Sequence, residues 1–292
     1  MQNLSNINTV KDILTRHGFT FSKALGQNFI INPSICPKIA ELGFAQSGFG
    51  VIEIGSGIGV LTKELASRAD KVVCIEIDSR LLPILDETLS DFDNIKIVNN
   101  DVLKVDLHKL IKDEFDGLEV SICANLPYYI TSPILMSLLK AKLPIKAITV
   151  MVQKEAAERI CAKETTNDFG AISAAVRYYC DPQILFHVSR GSFMPAPAVD
   201  SSVIRLDILP TPRVSPSDED LFFEVIKGAF SQRRKTLLNS LCSYFRLDKD
   251  LVSKLLCEVG IDSKIRPEKL TLDDFLKVCE ILKEKGGLNV KG

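Results

Sequence analysis

The stretch Val51-Ile52-Glu53-Ile54-Gly55-Ser56-Gly57-Ile58-Gly59-Val60-Leu61-Thr62 constrains the fold more than any other part of the chain. An apolar, β-branched run enters three glycines at alternate positions and then a predicted helix over 61–68, the strand-loop-helix context in which a glycine-rich loop approaches a nucleotide. The spacing is Gly-x-Gly-x-Gly, not the Gly-x-Gly-x-x-Gly of dinucleotide sites, and no Lys-Ser or Lys-Thr follows as in a phosphate-binding loop. This favours a nucleoside-like cofactor without a pyrophosphate and argues against a nicotinamide dehydrogenase.

The following segments repeat the alternation of short apolar strand and helix that builds an α/β domain around a parallel sheet. A second strand, 71–77, ends in Glu76-Ile77-Asp78, about 20 residues beyond the glycines, where a carboxylate can accept hydrogen bonds from both ribose hydroxyls. A third, 95–98, leads to Asp101, placed to accept from an adenine amino group. An acid at a strand end is also a common helix cap. Glu76 and Asp101 on successive strands beside the glycine loop, however, make a coherent nucleoside pocket.

A fourth strand, 120–124, runs into Asn125-Leu126-Pro127-Tyr128. At the carboxyl end of a buried strand this tetrapeptide offers an amide oxygen, a backbone carbonyl, a rigid turn and a flat ring, a set suited to a planar substrate bearing an amino group. Taken alone, Asn-x-Pro after a strand is most often only a turn. Upstream, Gly26-Gln27-Asn28-Phe29 fits neither helix nor strand and reads either as a connector or as a polar loop presented to a ligand. Downstream, prolines in Phe193-Met194-Pro195-Ala196-Pro197 hold Phe193 on a stiff loop.

Proline-rich residues 209–217 form the best linker, and beyond it the apolar periodicity is helical throughout. Two domains are expected: 1–209, α/β and Rossmann-like, and 217–292, all-α. The helical part carries Ser231-Gln232-Arg233-Arg234-Lys235-Thr236, the densest cation cluster, with Arg266 and Lys269 as additions. Such a run is either a solvated helix end or a phosphate-binding patch. The net charge of −1 argues against a protein that coats nucleic acid over its whole surface, so any such site is local.

The eight cysteines are scattered without metal-ligand spacing and read as reduced core residues; no metal site is expected. His17, His108 and His187 belong to no motif. No apolar run reaches the roughly 18–20 residues of a membrane helix, and the first twenty positions lack a secretory pattern, so a cytoplasmic protein is expected. Monomer is the default.

Taken in order, Gly26-Gln27-Asn28-Phe29, Glu53-x-Gly55-x-Gly57-x-Gly59, Glu76-x-Asp78, Asp101, Asn125-Leu126-Pro127-Tyr128, Phe193-x-Pro195-x-Pro197 and Phe230-x-Gln232-Arg233-Arg234-Lys235 resemble the small-subunit ribosomal RNA adenine dimethyltransferases, the KsgA family. The resemblance covers nearly the whole chain from Lys23 onward. It implies a Rossmann-like S-adenosylmethionine-dependent methyltransferase domain followed by a smaller all-α domain. The implied reaction is dimethylation of two adjacent adenines in the 3′-terminal hairpin loop of 16S rRNA, in the small ribosomal subunit or its precursor.

Family cofactor positions carry over onto Asn28, Ile30, Gly55, Glu76, Asp101 and Asn125. Their neighbours Gln27, Glu53, Gly57, Ile77 and Val102 join them as candidates. Asn125, Leu126, Pro127, Tyr128 and Phe193 are the candidate catalytic set, with Tyr128 and Phe193 sandwiching a flipped base. No dedicated base is required, because the nitrogen turns strongly acidic once methylated. Arg233, Arg234 and Lys235 are the candidate RNA contacts. Two residues depart from the family pattern: Ala198, where a basic residue is frequent, and Tyr129, where Asn is common. The competing readings are a 23S rRNA adenine methyltransferase conferring antibiotic resistance, which typically has Ile where this chain has Leu126, and a non-catalytic nucleic-acid-binding factor on the same fold.

Overall fold

The computed structural model describes residues 4–22, 24–232 and 234–287, and the chain divides into two compact units, 4–157 with 182–208 and 158–181 with 209–287. In the first unit, α1 (Ile7–Arg16) precedes β1 (Phe29–Ile30) and α2 (Ile35–Leu42). The alternation then runs β2 (Phe49–Ile54), α3 (Val60–Ala66), β3 (Lys71–Glu76), α4 (Leu82–Thr88), β4 (Ile95–Asn99), α5 (Leu107–Glu114), β5 (Glu119–Asn125), α6 (Thr131–Lys140) and β6 (Ala147–Gln153). Helix α7 (Lys154–Ile160) and, in the second unit, α8 (Ala171–Tyr179) follow. The chain then completes the sheet with β7 (Cys180–Val188) and β9 (Ser201–Ile208), between which lies the short β8 (Phe193–Met194).

Seven strands form one sheet in the order β4-β3-β2-β5-β6-β9-β7. β4 through β6 are mutually parallel, and β9 runs antiparallel to β6. All six residues of β2 are buried, as befits a central strand whose two faces are both covered by helices. From β2 the chain winds outward through β3 and β4, then returns to β5 on the other side. The carboxyl ends of β2 and β5 therefore flank the switch point at which open α/β sheets bind ligands. Gly55 leaves β2 there and Asn125 ends β5.

Two elements had no counterpart in the sequence reading. Helix α5 is nucleated by Asp106, whose carboxylate accepts from the Lys109 N–H at 3.0 Å. β1 and β8 pair antiparallel with Ile30 opposite Phe193, and Ile31 N–H donates to the Ser192 carbonyl at 2.8 Å. This small ribbon pins the segment carrying Gln27 and Asn28.

The second unit contains α8 with α9 (Glu219–Ala229), α10 (Leu237–Phe245), α11 (Lys249–Glu258) and α12 (Leu272–Glu284). The last four are each capped by a side chain, from Asp218, Thr236, Asp248 and Thr271 respectively. Residues 158–181, expected in the α/β domain, pack instead with these helices. Tyr178 and Tyr179 stack among Phe222 and Phe223, and both tyrosine hydroxyls donate to the Glu219 carboxylate. Aromatic burial thus overrides the order of segments in the chain. The cysteines are not uniformly core residues either: Cys36, Cys74, Cys123, Cys180 and Cys279 are buried, whereas Cys257 is exposed. Among the described residues, no helix is long and apolar enough to cross a membrane.

Candidate active site

A cleft opens at the switch point, lined by residues 25–30 of the N-terminal loop, by Glu53, by the glycine loop and the start of α3, by Glu76, Ile77 and Leu81, and by residues 125–128. Its empty space, open mouth included, is about 780 Å³.

The glycine loop is shaped by local conformation. Gly57 sits at φ 59° in the left-handed region, and a Cβ there would lie 3.1 Å from the Phe29 ring, so only glycine fits without displacing the N-terminal segment. Its N–H donates to Glu76 Oε2 at 3.0 Å. The Asp78 N–H donates to Glu76 Oε1 at 2.9 Å, so each carboxylate oxygen is held by a backbone amide and keeps capacity to accept from a ligand. Burial raises the Glu76 carboxyl above its ordinary value, and these amides counter the shift.

Glu53, on β2, is 1% exposed, and burial raises its carboxyl to about 7, with the Glu76 charge adding to the shift. The Cys74 thiol lies 3.6 Å from its Oε2. Near neutral pH this wall of the cleft therefore holds a substantial fraction of neutral acid.

At the end of β5, Asn125 Nδ2 donates to the Asn28 carbonyl at 3.1 Å. That bond fixes which way the amide faces and leaves Oδ1 to accept from an incoming amine. Leu126 is buried, and its N–H donates to the Met151 carbonyl, which anchors the tetrapeptide to β6. The half-buried Tyr128 is held by a 2.6 Å hydrogen bond between its hydroxyl and Ser201 Oγ, and burial raises its phenol. Ser201 carries no local signal for this role, because its partner is distant in the chain.

The cleft thus brings together Gln27, Asn28, Ile30, Glu53, Gly55, Gly57, Glu76, Ile77, Asn125, Leu126, Pro127 and Tyr128. Asp101, Val102 and Phe193 are not among its lining residues. Asp101 follows β4 beside the end of β3, half-buried, with Oδ1 accepting from the Leu103 N–H at 3.0 Å. Val102 begins the short turn of 3₁₀ helix that Asp101 caps. Phe193 corrects an expectation. Paired through β8 to β1 and only 3% exposed, its ring belongs to the hydrophobic core and presents no face to a base.

Gln27 lines the cleft and is also tied into the chain. Its Oε1 accepts from the Ser22 N–H at 2.8 Å and its Nε2 donates to Asp78 Oδ2 at 2.7 Å, so both ends of the amide are already engaged by the chain.

Of the cation cluster, Arg233 lies outside the described residues. Arg234, at φ 65°, and Lys235 are both exposed just before the Thr236 cap of α10, and Gln232 Nε2 donates to Ser243 Oγ. Lys269 is committed elsewhere, to the Thr165 carbonyl and Asn167 Oδ1.

A parallel sheet with a switch-point cleft, a buried acid at the end of the second parallel strand and an asparagine-led tetrapeptide at the fourth define a Rossmann-like methyltransferase. Comparison with known proteins narrows this class. The family model described as ribosomal RNA adenine dimethylase matches residues 18–284. Over 286 residues the chain is 47% identical to "Ribosomal RNA small subunit methyltransferase A" of Alkaliphilus oremlandii, covering 98% of this chain and 100% of that protein. The Bacillus cytotoxicus protein of the same name is also 47% identical, covering 97% and 98%. Among solved structures, a dimethyladenosine transferase from Plasmodium falciparum superposes with TM-score 0.70 at 27% identity, covering 88% of this chain and 98% of that one. The 23S rRNA methyltransferase ErmE gives TM-score 0.65 at 25% identity, covering 87% and 99%. The chain belongs to the ribosomal RNA adenine dimethylase family, and it is an enzyme.

Proposed function

We propose that this protein uses S-adenosylmethionine to dimethylate the exocyclic amino groups of two adjacent adenines in the 3′-terminal hairpin loop of 16S rRNA, in the small ribosomal subunit or its precursor. The observation that carries the reading is the placement of the Glu76 carboxylate and the oriented Asn125 amide in one switch-point cleft. Full-length identity of 47% to a protein named for the small subunit supports that substrate over the 23S alternative, for which the likeness is 25%. The intact cleft disfavours a non-catalytic factor.

The residues present suit the cofactor. Glu76, held by two backbone amides, accepts from the ribose hydroxyls, and the glycine loop leaves backbone room beside it. Ile77, 54% exposed and lining the cleft, offers an apolar surface to a purine, with Val102 next to Asp101 on the neighbouring strand end. Asp101 is assigned to the adenine amino group, and the backbone of Asn28 and Ile30 to the remainder. When bound, the sulfonium supplies an already activated methyl group, so the protein's task is alignment.

Asn125 Oδ1 and the Leu126 carbonyl accept from the target amine. This draws its lone pair out of conjugation with the ring and points it into the cleft. Pro127 fixes the path of the backbone between Leu126 and Tyr128. Tyr128, oriented by Ser201, provides the stacking face. With Phe193 in the core, the face opposite Tyr128 is left to another group. The helical unit recognises rRNA through Arg234 and Lys235, together with Arg233.

The test is transfer of labelled methyl groups to small and large subunits that lack the modification. Label confined to the small subunit supports the proposal. Label confined to the large subunit would replace it with the 23S reading, and no transfer to either would favour the non-catalytic one.

A further inference from the structure

We propose that Gln27 and Asp78 form a strut that sets the N-terminal loop against the ribose-binding carboxylate, so that both act as positioning residues and neither is a cofactor ligand. The inference rests on the proposed function for the identity of the ligand, but the strut itself stands on contacts within the chain.

Asp78 is 6% exposed, and every polar part of it is in use. Its N–H holds Glu76 Oε1, its Oδ1 accepts from the Arg80 N–H and Nε, and its Oδ2 accepts from Arg80 Nη2 and from Gln27 Nε2. Arg80 keeps this carboxyl ionised, below its ordinary range. Gln27 bridges from that anion to the Ser22 N–H. One residue further on, Asn28 presents the carbonyl that orients the Asn125 amide. A single run of hydrogen bonds therefore leads from the acid assigned to the cofactor, through Asp78 and Gln27, to the loop whose carbonyl aligns the group assigned to the target amine. Gly26 allows the loop to lie this close: at φ 60° it packs under the Tyr129 ring, 3.3 Å from where a Cβ would stand.

Polarity gives a discriminating test. Gln27→Glu sets two carboxylates face to face at a 2.7 Å contact, and Asp78→Asn alone removes the anion and turns an N–H2 toward one set of the donors that Asp78 now serves. The double exchange Gln27→Glu/Asp78→Asn restores a donor opposite an acceptor, with the new amide donating to the new carboxylate. Oδ1 at position 78 still accepts from the Arg80 N–H and Nε, and Oε1 at position 27 from the Ser22 N–H, while Arg80 Nη2 exchanges its Oδ2 acceptor for the new carboxylate beside it. S-adenosylmethionine affinity is measured by calorimetry without RNA. Gln27→Glu is expected to weaken binding about tenfold or more, in keeping with loss of a hydrogen bond to a charged group. Asp78→Asn should weaken it less, and the double exchange should return it to within about threefold of wild type.

In turnover assays the single variants raise the cofactor KM and also lower kcat, through the loosened Asn28 carbonyl, and the double exchange recovers both. Should Gln27→Glu fail to fold, Gln27→Met removes the same bonds without adding charge and is expected to show a similar loss. Single variants with wild-type affinity, or a double variant no better than the product of its parts, would overturn the strut. Failure of the wild-type protein to bind the cofactor would instead overturn the proposed function.

Discussion

Glu53→Gln should change how stability depends on pH. The Glu53 carboxyl is buried on β2 and raised from 4.5 to about 7, chiefly by desolvation. For an acid whose folded value lies above its unfolded one, the unfolded chain releases the proton first, so stability falls as pH rises through the interval between the two values. The full loss is about 3 kcal/mol, at about 1.36 kcal/mol per unit, and most of it falls between pH 5 and pH 8. Glutamine is nearly isosteric and does not titrate, so the variant lacks this contribution. Urea unfolding of both proteins at pH 5, 6, 7 and 8 measures it, since groups common to the two cancel in the difference. The variant is expected to gain on wild type by about 2–3 kcal/mol from pH 5 to pH 8, whatever constant offset its packing introduces. Parallel pH profiles would refute the argument and would mean that water reaches the Glu53 carboxylate.

Gly57→Ala forces a side chain into the left-handed region, about 1–2 kcal/mol, and against the Phe29 ring at 3.1 Å. Thermal unfolding should show a loss of at least that size, with weakened cofactor binding by calorimetry. Asn125→Ala should lower kcat far more than it lowers RNA affinity, as expected for an interaction strengthened in the transition state, and single-turnover rates at saturating RNA check this. Replacing Arg233, Arg234 and Lys235 by Ala should flatten the plot of log affinity against log salt by about 0.7 per phosphate contact on single-stranded RNA, slightly more on duplex, with cofactor binding unchanged.

The parallel strands and glycine loop are legible in the sequence because buried strands must be apolar and β-branched, and because Gly57 is dictated by a backbone angle that other residues resist. Glu76 and Asn125 are legible for a related reason: each ends a strand, and the carboxyl ends of strands in such a sheet share one edge. Helix α5 carries a readable signal too, Asp106 ahead of Leu107, Leu110 and Ile111.

What local pattern cannot show is pairing across distance. Phe193 looks like an exposed platform until β8 is seen to pair with β1, which turns its ring into the core. Gln27 looks like a loose loop amide until Asp78 and Ser22 are seen to hold it. Tyr178 and Tyr179 precede a strand of the sheet, yet their burial is decided by Phe222 and Phe223 beyond the linker. In each case the deciding partner lies tens of residues away, and the choice is made by burial and hydrogen-bond satisfaction.

The central claim, that the Asn125 cleft dimethylates adjacent adenines of the small-subunit rRNA, is tested most directly by mass spectrometry. Undermethylated small subunits are incubated with the protein and S-adenosylmethionine, and the 16S rRNA is then digested with nuclease and its fragments mapped. The account predicts two neighbouring N6,N6-dimethyladenosines in the 3′-terminal hairpin loop, absent when Asn125→Ala replaces the wild-type protein. Modification at another nucleotide, a product that stops at a single methyl group with wild-type protein, or an undiminished yield with Asn125→Ala would contradict it.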